Sequence, residues 1–162
     1  MGRVELRLPR AHALDYLRWM AYWREVETRM IEHPALERLA SKEAGEFLGG
    51  ADAKLISKLA ADLASQATAA RAAGREIVQP TLEMDRDPAS LFGLAHLIAS
   101  RGEWLQRHEK QLDVAPLDTH LVVLRSKVIR AIADHARLLA AERERAEVAS
   151  TPLTERPAVR EI

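Results

Sequence analysis

The side chains with the greatest chemical reach in this 162-residue chain are His33 and His108. Each stands at the end of an amphipathic stretch. Imidazole in that place can ligate a metal, carry a proton near neutral pH, or cap the carbonyls at the negative end of a helix dipole. A bundle metal site asks for more, either a glutamate three residues before a histidine or two histidines one turn apart. Neither spacing occurs, so capping is the plain reading and no metal or cofactor is expected. Cysteine is absent, which removes disulfides, thiolate zinc sites, iron–sulfur clusters and thiol nucleophiles together. Glycine-rich phosphate loops, G-x-S-x-G elbows and paired catalytic carboxylates are missing from the sequence too, so no catalytic set is expected.

A second set lies in the last third of the chain. Lys127, Arg130 and Arg137 recur at helical spacing with Arg125 nearby, and Asp134 interrupts them. Such a stripe can track phosphates, and it can equally be the solvated face of a helix. Arg130 and His135 together form an R-x4-H spacing that resembles the active motif of HEPN ribonucleases. That resemblance implies an arginine and a histidine from two subunits meeting across a dimer to cleave RNA. Ala131 stands where the family usually has a polar residue.

The opening Val4-Glu5-Leu6-Arg7-Leu8-Pro9 runs directly into a helix and resembles the start of ribbon–helix–helix DNA-binding proteins. The family implies strands of two subunits entering the major groove, with Arg3, Glu5 and Arg7 as the base-reading candidates. The match spans about ten residues. The helix that follows is roughly twice the family's length, and Pro80 stands where the second half would need a pairing strand.

These residues need elements to hold them. Val4, Leu6 and Leu8 alternate with charges, a strand signature ended by Pro9. Tyr16, Trp19, Trp23, Val26 and Met30 then recur three and four apart, predicting a helix over about 11–32. Leu17 and Met20 widen its stripe, Glu25 and Arg29 form an i,i+4 pair, and Pro34 stops it. Short helical turns are expected over 35–48, closed by Gly49 and Gly50. A second helix over about 52–73 carries Ile56, Leu59 and Leu63 among many alanines, with Gly74 as its terminator.

The second half starts with another alternating stretch, Ile77 to Met84, where Pro80 limits any strand to an edge. Asp87 and Pro88 read as N-cap and first residue of a helix carrying Leu91, Leu94, Ile98, Arg101, Leu105, His108 and Leu112. Pro116, Asp118 and Thr119 open the last helix, whose stripe is Leu121, Leu124, Val128, Ile132 and Leu138. Shifting the first half by 75 residues places Tyr16, Trp19, Trp23, Met30 and His33 on Leu91, Leu94, Ile98, Leu105 and His108. A shift of 65 places Ile56, Leu59 and Leu63 on Leu121, Leu124 and Val128.

The expected fold is therefore all-α: four long helices as two pseudo-repeated hairpins, each preceded by a short extended segment. One domain over 1–148 contains the repeats, about 3–74 and 77–148, and residues 149–162 are expected to be a disordered tail.

Lysine plus arginine equals aspartate plus glutamate, at 24 each. A chain without net charge is neither a general nucleic-acid coat nor a polybasic membrane binder, and does not resist self-association. Residues 1–10 lack the apolar core of a signal peptide, and no run is long enough to span a bilayer, so a cytoplasmic location is expected. In texture the chain resembles small helical proteins of actinobacteria and their phages, a resemblance that brings no activity with it. The expected function is a non-catalytic interaction or assembly protein, self-associating or bound to another protein. Nucleic-acid binding is the second reading and a HEPN-like ribonuclease the third. Apolar residues outside the main stripes, Val122, Val123 and Ile129, together with Tyr22, are the candidate interface; Arg125, Lys127, Arg130 and Arg137 are the candidate nucleic-acid contacts.

Overall fold

A computed structural model describes residues 2–44 and 50–150. In chain order it comprises β1 (Arg3–Arg7), β2 (Ala11–His12), α1 (Ala13–Ile31), α2 (Pro34–Ala44), α3 (Gly50–Ala72), β3 (Ile77–Val78), β4 (Thr81–Asp85), α4 (Pro88–Arg107), α5 (Glu109–Leu112) and α6 (Thr119–Ser150). The protein is mostly helical. Its two extended stretches do more than precede the hairpins, because they pair: β1 lies antiparallel to β4 with Leu6 opposite Leu82, and β2 pairs with β3. Pro80 escapes the penalty of an absent donor by sitting between β3 and β4, where its carbonyl accepts from Leu8 N at 2.8 Å.

The helix boundaries have local causes. Asp87 accepts from Ala89 N and Pro88 opens α4, as their order predicts. At the end of α3, Gly74 takes φ +77°, and Arg75 N reaches the Ala70 carbonyl at 2.8 Å. This closing turn needs the left-handed region that glycine enters freely. Pro34 begins α2 after α1 has stopped at Ile31. Part of the turns expected over 35–48, with Gly49, lies outside the described residues, as does the tail from 151 onward; α6 continues to Ser150, past the expected limit at 148.

Packing follows the stripes. α1 lies on α3, and α4 on α6. Ala13 N bonds the Glu76 carbonyl at one end of the first pair, while Met30 and Lys54 line a common groove at the other, so these helices run antiparallel. Asp87–Arg143 and Gln106–Arg125 contacts fix the same antiparallel sense for α4 and α6. The small elements then cross between the pairs: α2 leans on α4, α5 on α1, α3 touches β4, and α6 touches β1. Trp19, Trp23, Leu59, Ile98, Leu105, Leu124 and Val128 are all buried in one core. Each such side chain contributes about 1.5–3 kcal/mol of transfer free energy.

Two packing expectations are overturned. Leu138 is 61 % exposed, and Leu139 is buried in its place. On α6 the inward line runs Ile132, Ala136, Leu139, so a six-residue step from Ile132 turns Leu138 roughly 120° off the line to Leu139's three-plus-four step. Arg29 pairs with Glu32 at 3.6 Å, where the i,i+4 rule had favoured Glu25.

Candidate interaction surface

The polar groups inside the molecule are committed to holding it together. Arg101 of α4 is 2 % exposed, and its Nε and Nη2 donate to the two carboxylate oxygens of Glu27 on α1 at 2.5 and 2.6 Å. Nη2 also approaches Glu37 of α2 at 3.4 Å. Burial works against its charge, but the two glutamates outweigh it and raise the guanidinium above its ordinary range. Three residues on, the Trp104 indole N–H donates to Glu43 of α2 at 2.8 Å, and the ring stacks on His108 with centroids 3.7 Å apart. α2 is thus tied to α4 by two acidic side chains.

A second clamp ties α5 to α1. Tyr22 OH donates to Glu109 Oε2 at 2.6 Å, and that carboxylate oxygen also accepts from Leu117 N at 2.9 Å. Burial first, then the Glu109 hydrogen bond and charge, hold the phenol above its ordinary range. Tyr22, expected on an outer face, is half-buried against the core.

Both histidines behave as ends. His108 is the C-cap of α4, with Nδ1 2.7 Å from the Trp104 carbonyl. His33 is exposed between α1 and α2, and its backbone N–H donates to the Met30 carbonyl at 3.0 Å. Among the described residues no group of three or more His, Cys, Asp or Glu side chains is placed to hold a metal ion.

The basic set divides. Arg125 is buried, not outward: its chain crosses α4 where Gly102 leaves room, with Cδ 3.1 Å from where a Cβ would sit, and Nη2 bonds Gln106 at 2.9 Å. Burial lowers its pKa. Lys127, Arg130 and Arg137 are exposed, and Arg137 is engaged by Asp134 at 2.6 Å. Arg130 is exposed while His135 is half-buried, roughly 140° around the helix from it. On the β1–β4 ribbon the exposed side chains are Arg3, Glu5, Arg7, Glu83 and Asp85, two cations against three anions, with Glu5 directly opposite Glu83.

Of the apolar candidates, Val122 and Ile129 are half-buried against the core, and Val123 is 48 % exposed. Val123 does not stand alone. Val148, 58 % exposed, and Leu138 share its side of α6, the side turned away from α4. Residues 142–150 of α6 are exposed throughout. Leu138, Glu144 and Val148 were missed as surface candidates. The signal for the last two was present: counting from Val123, they belong to an outer line of alternating four- and three-residue steps, parallel to the core stripe.

No helix among the described residues is long and apolar enough to cross a membrane. No family model, curated protein or solved structure matches the chain.

Proposed function

We propose that this is a non-catalytic interaction protein that docks a partner helix on the outer face of α6. The observation that carries the reading is the length and exposure of that helix. α6 has 32 residues and α3 has 23. In the proposed repeat, the end of α3 at Ala72 corresponds to Arg137, so the segment from Leu138 to Ser150 has no counterpart in the first half. The rest of the molecule serves as a scaffold: the α1–α3 and α4–α6 pairs, braced by β1 on β4 and by the contacts of α2 with α4 and of α5 with α1. The additional length of α6 adds little to that scaffold's core, and it carries two large exposed apolar side chains, Leu138 and Val148. An extended helix face with apolar residues among charges fits a helical partner.

The commitment of Arg101, Arg125, Tyr22 and Trp104 to internal clamps agrees with a structural role. Nucleic-acid binding is the second reading, resting on the exposure of Lys127 and Arg130. The inward turn of Arg125, the Asp134–Arg137 pair and the excess of acid on the ribbon weigh against it.

A photo-crosslinking residue at Leu138, with one at Arg18 on α1 as control, tests the docking face in the host cell. The expected result is a discrete crosslinked product from position 138 and none from 18. Equal labelling at both positions, or none at 138, overturns the reading.

A further inference from the structure

Resting on that reading, we infer that the helix docked on α6 is the α6 of a second copy, running antiparallel. Residues on the outer side of α6 recur at alternating steps of four and three from Val123 to Val148, which is the seam spacing of a two-helix coiled coil. Most of the seam is charged, and this makes its pairing decidable.

Set two copies antiparallel about an axis between His135 and Ala136. Val123 then meets Val148 of the second copy at both ends of the seam. Lys127 meets Glu144 of the second copy, and Asp134 meets its Arg137. Arg130 meets Ala141 of the second copy, the smallest residue of the line. Every charged pair is of opposite sign, each occurs twice by symmetry, and no like charges face each other. The parallel alternative sets Lys127 on Lys127 and Glu144 on Glu144, so charge alone selects the antiparallel sense.

The existing Asp134–Arg137 contact at 2.6 Å lies at the centre, where it would join its symmetry mate in a four-charge network. The outer face is opposite the stripe that packs on α4, so each copy's body lies on the far side of its own α6. The chain has no net charge to resist contact. A seam with valines only at its ends associates weakly and responds to salt.

Sedimentation equilibrium of the full chain from micromolar to near-millimolar concentration, at low salt, tests this. The wild type should approach twice the chain mass, and 0.5 M salt should return it toward the monomer. Lys127→Glu and Glu144→Lys should each raise the dissociation constant about tenfold, by turning two attractive pairs repulsive. The double variant K127E/E144K should restore it. Both positions are exposed, and circular dichroism verifies that each variant is folded. A monomer at every concentration overturns self-pairing, and a dimer that the double variant fails to restore overturns the register. Neither result touches the broader docking face: crosslinking from Leu138 to a different protein sustains that reading while this inference fails.

Discussion

Arg101 and Glu27 are 74 residues apart in sequence and form a two-pronged ion pair across α4 and α1, with the arginine side chain 3 % and the glutamate side chain 17 % exposed. The pair joins the two halves of the protein at a level where Val26 and Ile98 are also buried. Removing one partner strands the other. Arg101→Met should cost about 3–5 kcal/mol in denaturant unfolding, because Glu27 is left desolvated without its counter-ion. The double variant Arg101→Met, Glu27→Leu should recover most of that loss. A double variant as unstable as the single one would mean that the cost is in packing and not in charge.

Trp23 is 4 % exposed, and its indole Nε1 has no hydrogen-bond partner. Trp23→Ala should destabilise by about 3–5 kcal/mol, the cost of a large core truncation. Trp23→Phe should cost distinctly less, since it keeps most of the ring volume and removes an unsatisfied donor. Urea midpoints for the two variants check the order; a loss under about 1 kcal/mol for the alanine variant would contradict the core position.

Stability should fall on the alkaline side. Tyr16 and Tyr22 both hold their protons above the ordinary phenol value of 10.0, Tyr16 by burial and Tyr22 by burial and then Glu109. Below pH 10 neither state ionises and their contribution is fully present. Above it the unfolded chain releases protons that the folded chain keeps, so unfolding gains up to about 1.4 kcal/mol per pH unit for each tyrosine. Tyr22→Phe should flatten the decline between pH 10 and 12, measured by denaturant titration at fixed pH. An unchanged slope would show that the folded protein does not hold the Tyr22 proton above its ordinary range.

The basic stripe predicts its own test. If Lys127, Arg130 and Arg137 contact phosphates, association with DNA or RNA should weaken steeply with salt. Replacing all three by glutamine should then lower the log–log slope by about one per lost contact. The arrangement described above predicts the opposite: no binding at physiological salt, and none lost on substitution. Fluorescence anisotropy with a labelled duplex and a labelled single-stranded RNA distinguishes the two.

Much of this molecule is legible along the chain because helices and strands imprint their periods on it. The stripe from Tyr16 to Met30, the Asp87–Pro88 start and the Gly74 stop are local events decided within a turn or two, and each stands where its residues predict. The alternation in Val4–Leu8 predicts an extended segment but not its mate. That β1 pairs with β4 and lies between the two helical hairpins depends on contacts nearly 80 residues apart. The same limit explains Arg101, Arg125 and Tyr22. Helical phase placed Arg101 in line with leucines, yet only the approach of Glu27 from another helix makes a buried cation tolerable there. Arg125 reads as part of a basic face until Gly102, across the helix pair, supplies the space that draws it inward. Leu138 and Leu139 are adjacent and chemically equal. Which one faces the core was settled by the phase of α6 against α4, a rotation set by the whole interface and recorded in neither residue.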